Sequence, residues 1–535
     1  MELKGRSIIG WADGAEGGAQ FSAINPATGK EIAPKYSSAS FSDIDCAANL
    51  AAKAFADYSR RSAKQRAAFL REIGKGIDAI IGDIIERMIA ETGLTEARAR
   101  VEAGRTSNQM RMFADIIEEG SWVTAHIDRG DPGRKPQPKP DLRSMWRPLG
   151  PVVVFGASNF PLAYSVAGGD TASAFAAGNP VIVKAHPAHP GTGELVAQVI
   201  RTSARACEMP EGVFSILFDG GMEVGASLVK HPLVKAVGFT GSQRGGRALM
   251  DLAAARPEPI PVYAEMGSTN PVFILPGAMK LRAGEIAAGL HASVTLGGGQ
   301  FCTKPGLVFA SAGEETKNFA KDVAQRISAS APHPLLTPGI RSAYDNAVAT
   351  RQRRSETPLA ASGTAPAAGL DVSAAFFETD ARTFVSDDNL SSEVFGPSTL
   401  LVSAGSRDEM LKIARGLHGH LTATIHGTPE DLAEYRDLVE ILESKAGRVI
   451  FNGFPTGVEV TSAMVHGGPY PATSDGRSTA VGAQAIHRFA RLISFQNFPD
   501  QALPLELQNE NPLKIWRSVD GNLTRESIAA AHAAV

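Results

Sequence analysis

The sequence predicts an α/β protein with a mostly parallel sheet and more than one domain, and three observations carry that prediction. At 535 residues the chain is too long for a single hydrophobic core, so two or three domains are expected. From Pro151 onward, short β-branched runs alternate with helix-forming stretches of small residues, the pattern of parallel strands joined by crossover helices. Fifty-four glycines and 33 prolines supply the many tight turns that such alternation needs.

Taken in order, the N-terminal stretch MELKGRSIIGWADGAEGG lacks a basic segment followed by a long apolar run, and apolar runs elsewhere are strand-sized. Neither a secretion signal nor a membrane span is expected. Residues 42–120 are expected to be helical: SAKQ (62–65) fits a capping box, and Leu70, Ile73, Ile77, Ile80, Ile84 and Met88 fall at helical spacing. RGDPGRKPQPKPD (129–141) is proline-rich and basic, and is expected to be an exposed connector. The runs PVVVFG, NPVIVKAH, GVFSILFDG, VKAVGFTG and PVYAEMG then predict five strands. Ligands of open α/β sheets sit beyond the carboxyl ends of the strands, which places SNFP (158–161), KAHP (184–187) and TGSQ (240–243) at a candidate site. After Asn270 a second α/β unit is expected, interrupted by a polar, small-residue loop, SETPLAASGTAPAAGL (355–370). No internal repeat is apparent.

Composition narrows the function classes. Hydrophobic residues make up 43% and charged residues 20%, and 53 basic against 56 acidic residues give a net charge of -3. Nothing there suggests a nucleic acid or membrane-surface partner. Three widely spaced cysteines, Cys46, Cys207 and Cys302, argue against a disulfide framework and for a reducing, cytoplasmic setting. There is no GxSxG elbow and no GxxxxGK[ST] loop, so serine-hydrolase and P-loop chemistries drop out. His186 and His189 in HPAHP have no third ligand nearby, and no metal site is expected.

Two residues stand out chemically. Cys302 in GGGQFCTKPG has glycines and polar neighbours where a core cysteine would have apolar ones, a setting that suits a thiolate meeting a substrate. Glu265 in AEMGSTNP ends an apolar strand, where a carboxylate is costly unless it is used or hydrogen-bonded structurally. TGSQRGG resembles a glycine turn into a helix whose free N–H groups could hold a phosphate, although such turns are commonly structural.

Together SNFP, VKAHP, FTGS, AEMGSTNP, GQFC and SEVFGP occur in the order and rough spacing of the NAD(P)-dependent aldehyde dehydrogenase superfamily, and the resemblance runs from NPATG (25–29) to HGGPYPATSD (466–475). The wording GGGQFCTKPG, HGGPYPATSDGRST and NPLKIWRSVDG is similar to its α-ketoglutaric semialdehyde (2,5-dioxovalerate) dehydrogenase branch. The resemblance implies a Rossmann-type cofactor domain (1–121 with 148–266), an α/β catalytic domain (267–482), a small β oligomerisation extension (122–147 with 483–500) and a C-terminal tail (501–535). A homodimer or homotetramer is the implied assembly.

Residue by residue, the resemblance makes Cys302 the nucleophile, Asn159 with the Cys302 N–H an oxyanion hole, and Glu265 the base for thioester hydrolysis, its pKa expected to be raised by apolar neighbours. Lys184 and Glu393 would hold the cofactor riboses, Gly241, Ser242 and Gly246 its pyrophosphate, and Phe395 would pack near the nicotinamide. Phe160 would line the aldehyde's path. Where many NAD-preferring relatives carry glutamate, this chain has Pro187, which implies that NADP is tolerated or preferred over NAD. A substrate with a remote carboxylate calls for a cation, and Arg105 and Arg111 are the candidates, although six residues apart on a helix they point to different faces. The Ala-Gly-Gly run at 167–169 suggests a more open substrate tunnel. Other aldehyde specificities, a coenzyme A-acylating dehydrogenase and a non-catalytic relative are the competing readings.

Overall fold

A computed structural model describes residues 1–16, 18–366 and 369–528. Two seven-stranded sheets organise the chain. In the first, the five expected strands run parallel in the order Val262–Glu265, Ala236–Thr240, Val152–Phe155, Val181–Lys184 and Phe214–Leu217, with the short antiparallel strands Ile8–Ile9 and Ala12–Asp13 at one edge. Val152, Val153, Val181, Ile182 and Ile216 are fully buried, because helices cover both faces of a parallel sheet.

Four helices account for residues 42–120: Phe41–Tyr58, Ala63–Ala79, Ile81–Thr92 and Glu96–Glu119. The Ser62 hydroxyl accepts from the Gln65 N–H while the Gln65 side chain accepts from the Ser62 N–H, which is the expected capping box. The apolar stripe from Leu70 to Met88 is interrupted at Ile80, whose non-helical backbone separates two helices. The connector 129–141 is exposed, with one isolated bridge between Asp131 and Lys139.

The second sheet runs Leu359–Ser362, Ala375–Asp380, Ser398–Ala404, Leu307–Ser311, Val272–Ile274, His420–His426 and Ala446–Phe451, all parallel except the first. That first strand lies inside the segment expected to be a loop. Ala361 packs inward and Leu359 pairs with Phe377, so small residues there serve an edge strand; residues 367–368 of that loop lie outside the described residues.

A separate five-stranded sheet joins Ala490–Gln496, Leu142–Pro148, Ala125–Asp128, Arg517–Val519 and Asn522–Thr524 in that order. Its last two strands come from the segment expected to be a tail beyond the core pattern, so that segment contributes to this sheet; residues 529–535 of the tail lie outside the described residues. No helix among the described residues is long and apolar enough to cross a membrane.

Candidate active site

The parallel strands of the first sheet end on one side in Phe155, Lys184, Thr240 and Glu265, and the motifs that follow them converge there. A cavity of about 330 Å³ is lined by Asn159, Gly241, Ser242, Glu265, Cys302 and Glu393, among others, with Phe395 at its wall. Residues spread over 236 positions thus share one space.

Cys302 follows a backbone that only glycine accepts readily. Gly297, Gly298 and Gly299 have φ of 56°, 65° and 65°, the left-handed region. A Cβ on Gly299 would collide with the Gly396 backbone, so the cysteine loop lies flush against the loop that carries Glu393 and Phe395. Asn270 pins the far side, its Nδ2 donating to the carbonyls of Cys302 at 2.8 Å and Lys304 at 3.0 Å. The Cys302 N–H donates to no protein acceptor among the described residues. Asn159 is buried, and its Nδ2 donates to the Gln300 carbonyl at 3.1 Å, which ties its amide to the same loop.

Glu265 is 4% exposed, at the last position of its strand. His466, 1% exposed, faces it with Nε2 3.0 Å from Oε2. The contact is an ion-pair distance without aligned hydrogen-bond geometry, and neither Glu265 oxygen has a hydrogen-bond partner. The expectation of a raised Glu265 pKa is corrected: burial, the largest single influence, pushes the carboxyl up, but His466, Cys302 and Arg488 together outweigh it and leave the group below its ordinary value. Burial pushes the Cys302 thiol well up, Glu265 adds to that, and Arg105 opposes it. The thiol, imidazole and carboxylate atoms of Cys302, His466 and Glu265 all lie within 4.8 Å of one another. His466 is 164 residues from Cys302, and only the HGGPYPATSD stretch hinted at it.

Next to this cluster the cavity wall passes to the glycine turn after the strand Ala236–Thr240. Ser242 caps the helix Gln243–Ala254, accepting from the Gly245 N–H at 3.2 Å, so the glycine turn does open a helix. A Cβ on Gly241 would stand 2.6 Å from the Phe239 ring, one on Gly246 2.6 Å from the Met266 sulfur, and one on Gly267 would collide with the Glu393 carboxylate. Gly241 and Gly267 therefore border the cavity with bare backbone, while Gly246 lets its helix pack closely on Met266. Lys184 stands apart from this cavity, buried, with Nζ donating to the Asp219 carbonyl at 3.2 Å, beside the exposed Met222 and Glu223. Burial pushes the Glu393 carboxyl up, against the pull of Lys304.

A comparison with protein families matches residues 11–492 to the aldehyde dehydrogenase family. The chain belongs to that family. It is 48% identical over 525 residues to the α-ketoglutaric semialdehyde dehydrogenase 2 of Azospirillum brasilense, covering 97% of this chain and 99% of the relative. It is 41% identical to the α-ketoglutaric semialdehyde dehydrogenase of Acinetobacter baylyi, covering 98% and 99%. Among solved structures, a betaine aldehyde dehydrogenase mutant from Staphylococcus aureus in complex with NAD⁺ superposes with a TM-score of 0.80 at 19% identity, over 93% of this chain and 98% of that one. The protein is accordingly an NAD(P)-dependent aldehyde dehydrogenase.

Within this aldehyde dehydrogenase the two arginine candidates part company. Arg105 faces inward: its Nη2 donates to the Tyr164 hydroxyl at 3.2 Å, and its guanidinium lies 5.9 Å from the centre of the Phe160 ring. Arg111 turns to the neighbouring helix, paired with Asp78 and bonded to Asn108, and is not part of the site. The six-residue offset separates them as helix geometry requires. Arg98, seven residues before Arg105 and so on the same face, was missed; heptad spacing was the available signal. It lies over the Phe160 and Phe301 rings at 4.8 and 4.3 Å and donates to the Asn159 carbonyl at 2.6 Å. Arg98, Arg105, Arg448, Phe160 and Phe301 line a groove of about 890 Å³ on the other side of the cysteine loop. All three guanidiniums interact electrostatically with the Cys302 sulfur.

The Ala-Gly-Gly run at 167–169 does not widen this groove. A Cβ on Gly169 would stand 2.5 Å from Gln109 Nε2, so the small residues let the helix Gly169–Ala177 pack tightly on its neighbours. His186 and His189 stack on each other, and burial keeps both below their ordinary pKa. His189 Nε2 lies 2.8 Å from the Ala157 carbonyl, which supports the backbone leading to Asn159.

Proposed function

We propose that the protein oxidises α-ketoglutaric semialdehyde to α-ketoglutarate. The observation that carries this reading is the groove beside the cysteine loop where Arg98, Arg105 and Arg448 outnumber Glu102 and Glu459, a net cationic, partly apolar passage suited to an aldehyde with a carboxylate at its far end. The two relatives at 48% and 41% identity bear the name of that activity over nearly their whole length.

In this reading Cys302, as thiolate, adds to the aldehyde carbon. The resulting oxyanion takes hydrogen bonds from the Asn159 amide and the Cys302 N–H. Gly241, Ser242 and Gly246 would hold the pyrophosphate of NAD(P)⁺, with Glu393 and Phe395 at one ribose and the ring and Lys184, beyond this cavity, at the other ribose; the cofactor would supply the hydride acceptor. Glu265 then takes a proton from the water that hydrolyses the Cys302 thioester. Pro187 puts no carboxylate where a 2′-phosphate would lie, so NADP is accepted alongside NAD. Exposed Leu492, Phe498, Trp516 and Leu523 on and near the five-stranded sheet support its use as a homodimer or homotetramer contact.

Purified protein is mixed with the semialdehyde and either cofactor, with and without coenzyme A, and reduced cofactor is followed by absorbance against Cys302→Ala. Turnover without coenzyme A, lost in the variant, is expected. Equal rates in the two proteins, or a strict need for coenzyme A, would overturn the reading.

A further inference from the structure

The buried cluster holds one titratable group that the mechanism above leaves without work, His466. Its Nε2 lies 3.6 Å from Cys302 Sγ and 3.0 Å from Glu265 Oε2. The residue is held from several sides: its N–H donates to the Thr479 hydroxyl at 2.8 Å, its carbonyl accepts from the Ala480 N–H at 2.8 Å, and its ring stands 5.9 Å from that of Tyr164. Nδ1 is buried without a partner. One ring nitrogen therefore makes every polar contact, and it faces both the nucleophile and the carboxylate.

We propose that His466 is a catalytic residue that accepts the Cys302 thiol proton on Nε2, producing a thiolate–imidazolium pair that the Glu265 carboxylate stabilises. The inference deepens the role assigned to Cys302 above and rests on it. The S–H bond breaks with its electron pair staying on sulfur, an N–H bond forms on Nε2, and no redox change occurs.

The surroundings create the need for such an acceptor. Burial and the neighbouring negative charge of Glu265 disfavour the thiolate, and Glu393 adds to this. Arg105 favours it, and Arg98 and Arg448 share the sulfur's field from the other side of the loop. On the carboxylate side Arg488 acts on Glu265, while Tyr164 faces the ring as a neutral hydroxyl, since burial holds its proton. A proton on Nε2 places a positive charge between the two anions, where it offsets the repulsion that otherwise opposes thiolate formation.

The test is the pH dependence of Cys302 alkylation by iodoacetamide, which needs neither aldehyde nor cofactor. Rates are followed by mass spectrometry of the Cys302 peptide for the wild type, His466→Gln, His466→Asn and Glu265→Gln. The variants' folds are checked by NAD⁺ binding and thermal melting. The wild type should react at neutral pH, and both His466 variants should react at least about 10-fold more slowly there and converge with it above about pH 10. Profiles in the His466 variants that match the wild type would overturn the proposal. Should neither variant fold, the wild type still decides: thiolate absorbance at 240 nm lost on alkylation should already be present well below the ordinary thiol pKa of about 8.5, and its appearance only above that value would overturn the proposal. A failed substrate assignment leaves these profiles untouched, so the two readings fail separately.

Discussion

The imidazole of His466 lies 3.0 Å from the carboxylate of Glu265 inside a pocket where neither side chain reaches solvent. Against the effect of burial, this pairing, with Cys302 and Arg488, holds the Glu265 carboxyl below its ordinary pKa. A group whose folded pKa is depressed stabilises the fold above its unfolded pKa, and that contribution is lost as pH falls through the folded value. Hydrolysis of the acyl-enzyme should therefore keep its rate down to and below pH of about 4.3, the reference glutamate value. Single-turnover hydrolysis after p-nitrophenyl acetate loading measures this, over the range in which circular dichroism shows the fold intact. An acid limb centred above pH of about 5 would contradict the depressed carboxyl.

Glu265→Gln should separate the two halves of the reaction. Loss of a general base slows thioester hydrolysis by about 10² to 10⁴-fold. Hydride transfer precedes that step, so stopped-flow mixing should show a burst of reduced cofactor followed by a slow steady state. A burst as slow as the steady state would show that the contribution of Glu265 to the thiolate–imidazolium pair, and not its role in hydrolysis, limits the variant.

Asn159→Ala removes the amide fixed to the Gln300 carbonyl. A lost oxyanion-hole donor costs about 10² to 10³-fold in kcat. The cost should appear in kcat with little change in the binding of NAD⁺, measured by fluorescence titration.

Arg98→Leu, Arg105→Leu and Arg448→Leu should each lower kcat/KM for the acidic semialdehyde by about 10-fold or more, as expected when a charge-assisted hydrogen bond is lost. For an uncharged aldehyde such as propanal the change should be much smaller. Arg111→Leu is the control, because Arg111 is engaged with Asp78 and should leave both substrates unaffected.

Gly299→Ala tests the backbone that carries the nucleophile. The left-handed φ costs a non-glycine residue about 1–2 kcal/mol, and the added methyl meets the Gly396 backbone. The variant should lose Cys302 alkylation and lower the melting temperature together. Retained alkylation in a destabilised protein would show that the loop tolerates the shift.

What was legible in the sequence followed from local rules. Strand-end motifs such as TGSQ and the terminal Glu265 lie at the site because parallel strands deliver their carboxyl ends to one side. The Ser62 cap and the helical character of residues 42–120 came from spacing and capping chemistry, while the division into four helices and the break at Ile80 did not. Arg98 was legible in principle, since seven residues return to the same helix face, but Arg105 and Arg111 were singled out instead. Arg448 and His466 reach the site through tertiary packing, from a strand of the other sheet and from a loop, and no period in the sequence links either to Cys302. The strands Leu359–Ser362 and Arg517–Val519 were hidden for a related reason: short segments of small or mixed residues become strands only when a partner strand is already present.

The strand Arg517–Val519 is inserted between Ala125–Asp128 and Asn522–Thr524, nearly four hundred positions from the neighbour it pairs with in parallel. During synthesis, Ala125–Asp128 therefore emerges long before its companion exists, and its unpaired edge must wait through most of translation. Chaperone occupancy on ribosome-bound chains should concentrate on that waiting edge and end only when Arg517–Val519 is free to pair with it.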